Sequence, residues 1–296
     1  MKYLRLCSDI HLDHQFAKVG GDITKLWFPV PMEGDDETCL IIAGDMWYDF
    51  LHLTMDNSEA SDSWMDIVAR QFKYVITVSG NHDFWTRGMS GVDNYFTTHD
   101  DQMKMILADR HLDNVFHLAK GEKIELDGLN FMGGTLWTDF CRRDPLVMEQ
   151  ARQYMNDYRL ILTNSMAKLG HKMARKVHPI EVYDEFVRTW DVLKENMKTP
   201  GRNIIVTHMA PSVESIHYNY RNPWDMSNFF YFSELTEHIF DLQPELWVHG
   251  HVHHTHKYKI GDTQIAVNAH GYKGEGGIVK FEERWRYDLD TKEISY

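Results

Sequence analysis

The chain has 296 residues, of which 43% are hydrophobic and 25% are charged, a composition typical of soluble globular proteins. Its 44 acidic residues outnumber its 31 basic residues, and the net charge of −13 disfavours extended contact with a nucleic-acid backbone. The first residues include Arg5 and no long apolar run, so we expect neither a signal peptide nor a membrane span. The 3 cysteines are widely spaced, which argues against a disulfide framework and favours a reducing, cytoplasmic location.

Short apolar runs recur along the chain, and polar residues follow each of them. Runs of β-branched and aliphatic residues that end in Gly or Asp are typical of buried strands. They lie at residues 3–7, 38–43, 74–78, 203–207 and 245–248. Polar residues at the carboxyl ends of such strands meet along one edge of a sheet, so the pattern predicts an α/β fold with a site at that edge. The pattern spans almost the whole chain and indicates one catalytic domain, residues 1–296.

The remaining segments complete the predicted fold. Helical spacing at residues 63–72 and 100–110 predicts crossover helices, and residues 122–126 and 129–132 predict a hairpin. An antiparallel meander is predicted near the end of the chain, with strands at 257–260, 264–268, 277–281, 285–289 and 292–296. Residues 144–198 show helical spacing at 154–162 and again at 182–190, which predicts a helical insertion of two helices bordering the site.

The residues that follow the predicted strands have the chemistry that hydrolysis of a phosphate ester needs. The reaction requires a strong nucleophile at neutral pH and neutralisation of the phosphoryl charge, and two divalent metal ions about 3.5–4 Å apart supply both. Carboxylates, amide oxygens and imidazoles bind such ions. The candidate metal ligands are Asp9, His11, Asp45, Asn81, His208, His251 and His253.

Five motifs stand in a fixed order: Asp9-x-His11, Gly44-Asp45, Gly80-Asn81-His82-Asp83, a lone His208, and Gly250-His251-x-His253. In this order they resemble the motifs of the calcineurin-like metallophosphoesterases, and residues 133–139 resemble a segment of bacterial and phage-type members. The resemblance implies a two-sheet α/β/β/α sandwich flanked by helices. It also implies hydrolysis of a phosphate ester by a metal-bound hydroxide, with two divalent ions, Mn as the expected metal and Fe or Zn as alternatives.

The resemblance also implies a role for each residue of the motifs. Asp9, His11, Asp45 and His253 would hold the first ion. Asp45 would bridge to the second ion, which would also bind Asn81, His208 and His251. His82 would donate a proton to the leaving oxygen, and Asp83 would orient His82.

Residues near the motifs are candidates for substrate contacts. His270 and Tyr272 follow the last inner strand, and Trp47 follows Asp45 closely. No arginine adjoins Asp9, Asp45 or His208, whereas the motif loops carry Trp47, Tyr48, Phe84, Trp85 and Tyr272. Aromatic walls suit a flat group. We therefore expect a small-molecule substrate, a nucleotide-like phosphodiester, and nothing in the sequence indicates an oligomeric state.

Several other functions are less compatible with the sequence. Protein phosphatases of the superfamily carry Gly-Asp-x-x-Asp-Arg-Gly after the second strand, and residues 44–50 lack that arginine. A nuclease of the superfamily is disfavoured by the acidic charge, while a phosphomonoesterase remains an alternative. His11-x-Asp13-His14 matches half of the metallo-β-lactamase motif, but Asp9 replaces its first histidine. A non-catalytic metal-binding scaffold would have lost a ligand or the proton donor, and this chain has kept all of them.

Overall fold

The computed structural model describes residues 1–54, 62–87, 93–166, 172–222, 224–272, 275 and 280–296. The strands are β1 (Tyr3–Cys7), β2 (Thr38–Ala43), β3 (Tyr74–Val78), β4 (Val115–His117), β5 (Glu122–Leu126), β6 (Leu129–Gly134), β7 (Leu162–Met166), β8 (Lys172–Lys176), β9 (Arg202–Thr207), β10 (Leu246–His249), β11 (His256–Ile260), β12 (Thr263–Val267), β13 (Arg286–Asp288) and β14 (Ile294–Ser295). The helices are α1 (Leu12–Phe16), α2 (Leu51–Thr54), α3 (Trp64–Ala69), α4 (His99–Asp109), α5 (Phe140–Arg143), α6 (Pro145–Tyr154), α7 (Asp157–Leu160), α8 (Pro179–Asn196) and α9 (Thr236–Leu242).

Two six-stranded sheets form the centre of the fold. The first has the order β14-β13-β1-β2-β3-β4, and β1 to β4 run parallel. The second has the order β11-β12-β10-β9-β6-β5, in which β12, β10, β9 and β6 run parallel. One hydrophobic core lies between the sheets, and the outer faces pack against helices. The predicted two-sheet α/β sandwich is therefore confirmed.

Burial on both faces explains why the predicted strands are apolar without alternation. All six residues of β2 are buried. Ile41 faces the core between the sheets, whereas Leu40 and Ile42 belong to the cluster beneath the helices. Parallel strands covered on both sides are expected to be continuously apolar. The in-register pairing of β1 with β2, up to Cys7 opposite Ile42, brings the ends of these strands side by side.

The predicted crossover helices and hairpin are confirmed, with small changes in their bounds. Helix α3 begins after Ser63, whose side chain accepts a hydrogen bond from the Asp66 backbone, and α4 begins at His99. Strands β5 and β6 form the predicted antiparallel hairpin. Within the described residues, no helix combines the length and the apolar character needed to span a bilayer.

The predicted C-terminal meander is only partly right. Strands β11 and β12 pair antiparallel across the turn at Gly261, as predicted. However, β12 then pairs parallel with β10, and β13 joins β1 in the other sheet. These pairings join residues far apart in the chain, so the local alternation of apolar residues does not encode them. The strand predicted at 277–281 lies mostly outside the described residues.

The segment 144–198 contains a hairpin as well as helices. Helix α8 agrees with the prediction, but a helix at 154–162 is wrong. Asp144 caps α6, which ends at Tyr154. After the short α7, strand β7 begins at Leu162 and pairs antiparallel with β8. Within this spacing Tyr158 and Ile161 are buried in the core, whereas Tyr154 is mostly exposed, so the pattern reflects only the burial of α7 and of the residue that follows it.

Candidate metal centre

The seven predicted metal ligands converge where the parallel strands of both sheets end. Asp9 and His11 follow β1, Asp45 follows β2, Asn81 follows β3, His208 follows β9, and His251 and His253 follow β10. Hydrogen bonds join the two sheets at this point. The His251 backbone N–H lies 3.0 Å from each carboxylate oxygen of Asp9, and His208 Nδ1 lies 2.8 Å from the Ala43 carbonyl oxygen. Both sheets therefore contribute to one buried site.

Sharp backbone turns aim these side chains at each other. A left-handed φ occurs at Asp9 (52°), His11 (47°), Asp45 (55°), His251 (69°) and His253 (45°). Residues other than glycine rarely adopt this conformation, at a cost of about 1–3 kcal/mol each, and they cluster at functional sites. Five of the seven predicted ligands thus take this strained conformation, which 18 non-glycine residues adopt in the described part of the chain.

Two glycines of the motifs are required by close packing around Asp45. A Cβ atom at Gly80 would lie 2.1 Å from Asp45 Oδ1, and one at Gly44 would lie 2.4 Å from His208 Nδ1. Gly44 also has a φ of +85°. Gly44 therefore permits the sharp turn before Asp45, and both glycines make room for the ligands themselves.

The ligand atoms form two groups that share Asp45. Asp9, His11, Asp45 and His253 form the first group, and Asp45, His208 and His251 form the second, each with its ligand atoms within 4.8 Å of one another. Asp45 Oδ2 lies 3.8 Å from His11 Nε2, and Asp45 Oδ1 lies 3.4 Å from His208 Nε2. Its two oxygens thus face different groups, as a bridging carboxylate would.

Hydrogen bonds on the far side of the rings determine which nitrogens face the site. His208 Nδ1 donates to Ala43, so its Nε2 carries a lone pair, and this atom lies 3.0 Å from Asn81 Oδ1. His253 Nδ1 lies 2.7 Å from Glu275, and its Nε2 lies 3.1 Å from His11 Nε2. Burial lowers the pKa of His11 and His208, which favours the neutral imidazoles that bind metals.

These observations fit a pair of metal ions. Two atoms that each lie about 2.1 Å from one ion, at tetrahedral or octahedral angles, are about 3.0–3.4 Å apart. The pair His208 Nε2 and Asn81 Oδ1 and the pair His253 Nε2 and Asp9 Oδ1 have this spacing, at 3.0 and 3.4 Å. Asp45 Oδ2 and His251 Nε2 are buried without a hydrogen-bond partner in the described part of the chain. A cation would compensate both atoms.

His82 is held beside the ligands by two aromatic residues. Its ring stacks on Trp85 at 3.5 Å between centroids, and its Nε2 lies 3.1 Å from the Tyr272 hydroxyl. Its backbone N–H donates to Asp45 Oδ1 at 2.9 Å. Burial lowers the pKa of His82 well below its ordinary value. The side chain predicted to transfer a proton is therefore next to the bridging carboxylate.

The expectation that Asp83 orients His82 is corrected by its contacts. The carboxylate of Asp83 accepts backbone N–H groups from Gly80, Asp45, Met46 and Trp47, at 2.7–3.0 Å. The Asp83 carboxylate therefore links the backbone turn at Asp45 to the backbone turn at Gly80. Burial raises the pKa of Asp83 to about 7, against the opposing effect of these four donors. The described contacts of the His82 ring are with Trp85, Tyr272 and His11 instead.

A buried chain of hydrogen bonds supports the same turn from the side. Ser79 Oγ lies 2.7 Å from His99 Nε2, His99 Nδ1 lies 2.8 Å from Asn94 Oδ1, and Asn94 Nδ2 donates to the Asp83 carbonyl at 2.9 Å. The last bond orients the Asn94 amide, so His99 Nδ1 donates and Ser79 donates to Nε2. This chain joins both ends of the turn that carries Asn81 and His82.

Sequence reasoning missed several residues of the site. Asp157 accepts hydrogen bonds from Asn81 Nδ2 and Trp85 Nε1, both at 2.8 Å, and so aims the Asn81 oxygen at His208. Because Asp157 belongs to α7, the prediction that residues 144–198 border the site is confirmed. Glu275 holds His253 in the same way. Neither carboxylate stands in a motif, so the sequence carries no local signal for them.

A cavity of about 640 Å³ opens onto the ligands. Its lining includes Asp45, Asn81, His82, His251 and His253. It also includes Trp85, Tyr154, Asp157, Tyr220, Asp225, Tyr231, Tyr272 and Glu275.

The three predicted substrate contacts fall in different places. Tyr272 lines the cavity, where its ring also stacks on His11 at 4.3 Å. Trp47 is 1% exposed and packs on Phe16, so it belongs to the core. His270 is half-buried against Trp27 and Phe281 and is not among the described residues that line the cavity.

Replacing Asp83 with Asn should weaken the centre without changing its shape. The Asn side chain keeps one acceptor oxygen but turns an N–H₂ group towards two of the four backbone donors. We expect a loss of about 1–3 kcal/mol in the free energy of unfolding, measured by urea titration. Asp113→Asn, at an exposed carboxylate, should change it by less than about 0.5 kcal/mol. Equal stability of the two variants would contradict this role of Asp83.

Comparisons with known proteins identify the fold. No protein-family model matches the sequence. An uncharacterized protein, L509, of Acanthamoeba polyphaga mimivirus is 23% identical over 283 residues, which cover 93% of this chain and 93% of that protein. The structure of phosphopantetheinyl hydrolase from Mycobacterium tuberculosis matches with a TM-score of 0.60 at 15% identity and covers 91% of this chain and 89% of its own. At this identity the similarity concerns the fold alone, and this chain has the α/β sandwich of that hydrolase.

Proposed function

We propose that this protein is a metal-dependent phosphoesterase that binds two divalent ions and hydrolyses a phosphate ester in the cavity beside them. The observation that carries this proposal is the pair of buried ligand groups that share the Asp45 carboxylate. The mixture of imidazole nitrogens with carboxylate and amide oxygens suits Mn, Fe or Zn. When bound, the two ions would neutralise phosphoryl charge and supply a nucleophile at neutral pH.

The residues of the chain would orient these ligands and transfer a proton. Asp157 and Glu275 direct Asn81 and His253, as described above, so the ligands are oriented before an ion binds. His82 would serve as the general acid for the leaving oxygen. Its Nε2 lies near the Tyr272 hydroxyl, and its Nδ1 has no hydrogen-bond partner among the described residues. Because Nδ1 is buried, Nε2 is the atom that would carry the transferable proton. Burial lowers the pKa of His82, so the negative charge of a bound phosphate would have to raise it again before the ring can donate.

The cavity favours a phosphodiester over a phosphate with more negative charge. None of its described lining residues is Lys or Arg, whereas Asp157, Asp225 and Glu275 are acidic. Among the described lining residues, a monoester dianion or a polyphosphate would find no Lys or Arg to balance its second charge. A nucleotide-like phosphodiester carries one negative charge, which the two ions alone would balance.

Replacing Asp45 with Ala should remove both ions together, because each of its oxygens serves a different ligand group. Metal analysis after Mn loading should give about two ions per wild-type chain and well below one for Asp45→Ala, with loss of activity. His14→Ala removes an exposed histidine that belongs to neither ligand group, and this variant should keep both ions. Wild-type metal content and activity in Asp45→Ala would rule out the proposed centre.

Replacing His82 with Ala should have an effect that depends on the leaving group. For an alkyl leaving group, which needs a proton, we expect a loss in turnover rate on the order of 10²–10⁴. A nitrophenolate scarcely needs a proton, so the loss for aryl esters should be much smaller. The measurement is kcat for both substrate types with the same enzyme preparations. Equal losses would show that His82 is structural rather than a proton donor.

The absence of Lys and Arg from the described cavity lining predicts the order of substrate preference. With Mn-loaded protein, kcat/KM should be higher for a bis-aryl phosphate and for cyclic nucleotides than for an aryl monophosphate or phosphopeptides. A clear preference for the monoesters would overturn the diester assignment and leave the two-metal proposal intact.

A further inference from the structure

Two aromatic side chains line the cavity and yet remain mostly open to solvent. Tyr154 is 72% exposed and Tyr220 is 60% exposed, and both belong to the cavity lining. The rings of three other lining residues contact side chains of the protein itself. Trp85 stacks on His82, Tyr272 stacks on His11, and Tyr231 lies against His251. Tyr154 and Tyr220 thus offer exposed aromatic surface to the cavity, where the ring of His217 meets Tyr220 only edge-on, at 6.2 Å between centroids.

The backbone around Tyr154 and Tyr220 is held in place. Tyr154 is the last residue of α6, and the next backbone N–H donates to the Ala151 carbonyl at 2.9 Å. Tyr220 closes a short helical turn by donating to the His217 carbonyl at 2.8 Å. Asn228 Nδ2 donates to the Tyr220 carbonyl at 3.0 Å, and the helical turn that contains Asn228 packs against α6. The two tyrosines therefore belong to connected parts of one cavity wall.

The charges near this wall limit what could lie on it. Asp225, which lies between Tyr220 and Asn228 in the sequence, also lines the cavity. Arg221, the nearest cation in sequence, does not line the cavity and is paired with Glu214 at 2.7 Å. A second phosphate group of a substrate would meet the Asp225 carboxylate here, and none of the described lining residues is a Lys or Arg that could balance its charge. A flat, uncharged group would instead find aromatic rings on which it can stack.

We propose that Tyr154 and Tyr220 form a stacking site for a planar, uncharged group of the substrate, of the size of a nucleobase. This inference rests on the proposed phosphoesterase function and narrows its substrate class to esters that carry such a group. It also disfavours nucleoside polyphosphates, whose additional phosphates would meet no Lys or Arg among the described lining residues. The aromatic residues of the motif loops, such as Trp47, are core residues and do not take this role.

The test compares two ligands that differ only in the planar group. Adenosine 5′-monophosphate and ribose 5-phosphate share the sugar and the phosphate, so the ratio of their dissociation constants isolates the base. We expect Mn-loaded wild-type protein to bind the nucleotide about 5- to 100-fold more tightly, as measured by calorimetry. Tyr220→Ala and Tyr154→Ala should lose most of this advantage, and the affinity for ribose 5-phosphate should stay the same.

Two control variants test whether the advantage of the nucleotide depends on the aromatic ring of Tyr220. Tyr218 is 75% exposed in the same turn as Tyr220 but does not line the cavity, so Tyr218→Ala should keep the wild-type ratio. Tyr220→Phe keeps the ring and should keep the ratio as well. Equal affinities of the wild type for the two ligands, or equal losses in Tyr218→Ala and Tyr220→Ala, would overturn the stacking site while the two-metal centre stands. Failure to bind either ligand, together with no hydrolysis of any phosphate ester, would overturn the proposed function and the stacking site with it.

Discussion

The arrangement of the site follows from the single carboxylate of Asp45, which has to present one oxygen to each of two groups of buried ligands. This requirement determines the conformation around it. The chain turns at Asp45 with a φ of 55°, and the neighbouring turn carries a glycine because a Cβ at Gly80 would lie 2.1 Å from Asp45 Oδ1. His208 must approach from the other sheet, which it does by donating to Ala43 at the end of β2. The two sheets are thus aligned so that their strand ends meet around one side chain.

A second set of hydrogen bonds makes that arrangement selective for cations. Each imidazole or amide has two polar ends, and the end that faces the site is determined by the partner of the other end. Ala43, Glu275 and Asp157 hold the outer ends of His208, His253 and Asn81. His253 would have to release a proton to bind a cation, because hydrogen bonds to Asp9 and Glu275 outweigh the effect of burial and raise its pKa to about 10. With the outer ends occupied, His208 Nε2 and Asn81 Oδ1 turn lone pairs towards the centre. Burying such a group without a partner costs several kcal/mol, and a divalent ion is the partner that their geometry suits.

The sequence predicts those parts of the molecule whose physical cause is local. Continuous apolar runs such as Thr38–Ala43 predict strands, since both faces of the sheet are covered, and the residue after each run predicts the position of a ligand. The hairpin Glu122–Leu126 with Leu129–Gly134 is equally local. In contrast, β13 pairs with β1 from the opposite end of the chain, and no local pattern specifies that pairing. The role of Asp157 could not be predicted from the sequence for the same reason, because its partner Asn81 lies 76 residues away. Sequence reasoning did place Asp83 at the site, but its four backbone donors appear only when the turns at Asp45 and Gly80 meet.

The two halves of the site differ in how they depend on charge. The side chains that line the cavity supply no Lys or Arg in the described part of the chain, and the whole protein has a net charge of −13. In the proposed function, attraction for a phosphate would therefore come from the two ions, within the short distance over which they are not screened. Beyond that distance the cavity wall carries the rings of Tyr154, at the end of α6, and of Tyr220. It also carries the carboxylate of Asp225. Discrimination among esters of equal phosphate charge would then depend on the uncharged part of the substrate, because such esters present the same phosphate to the ions.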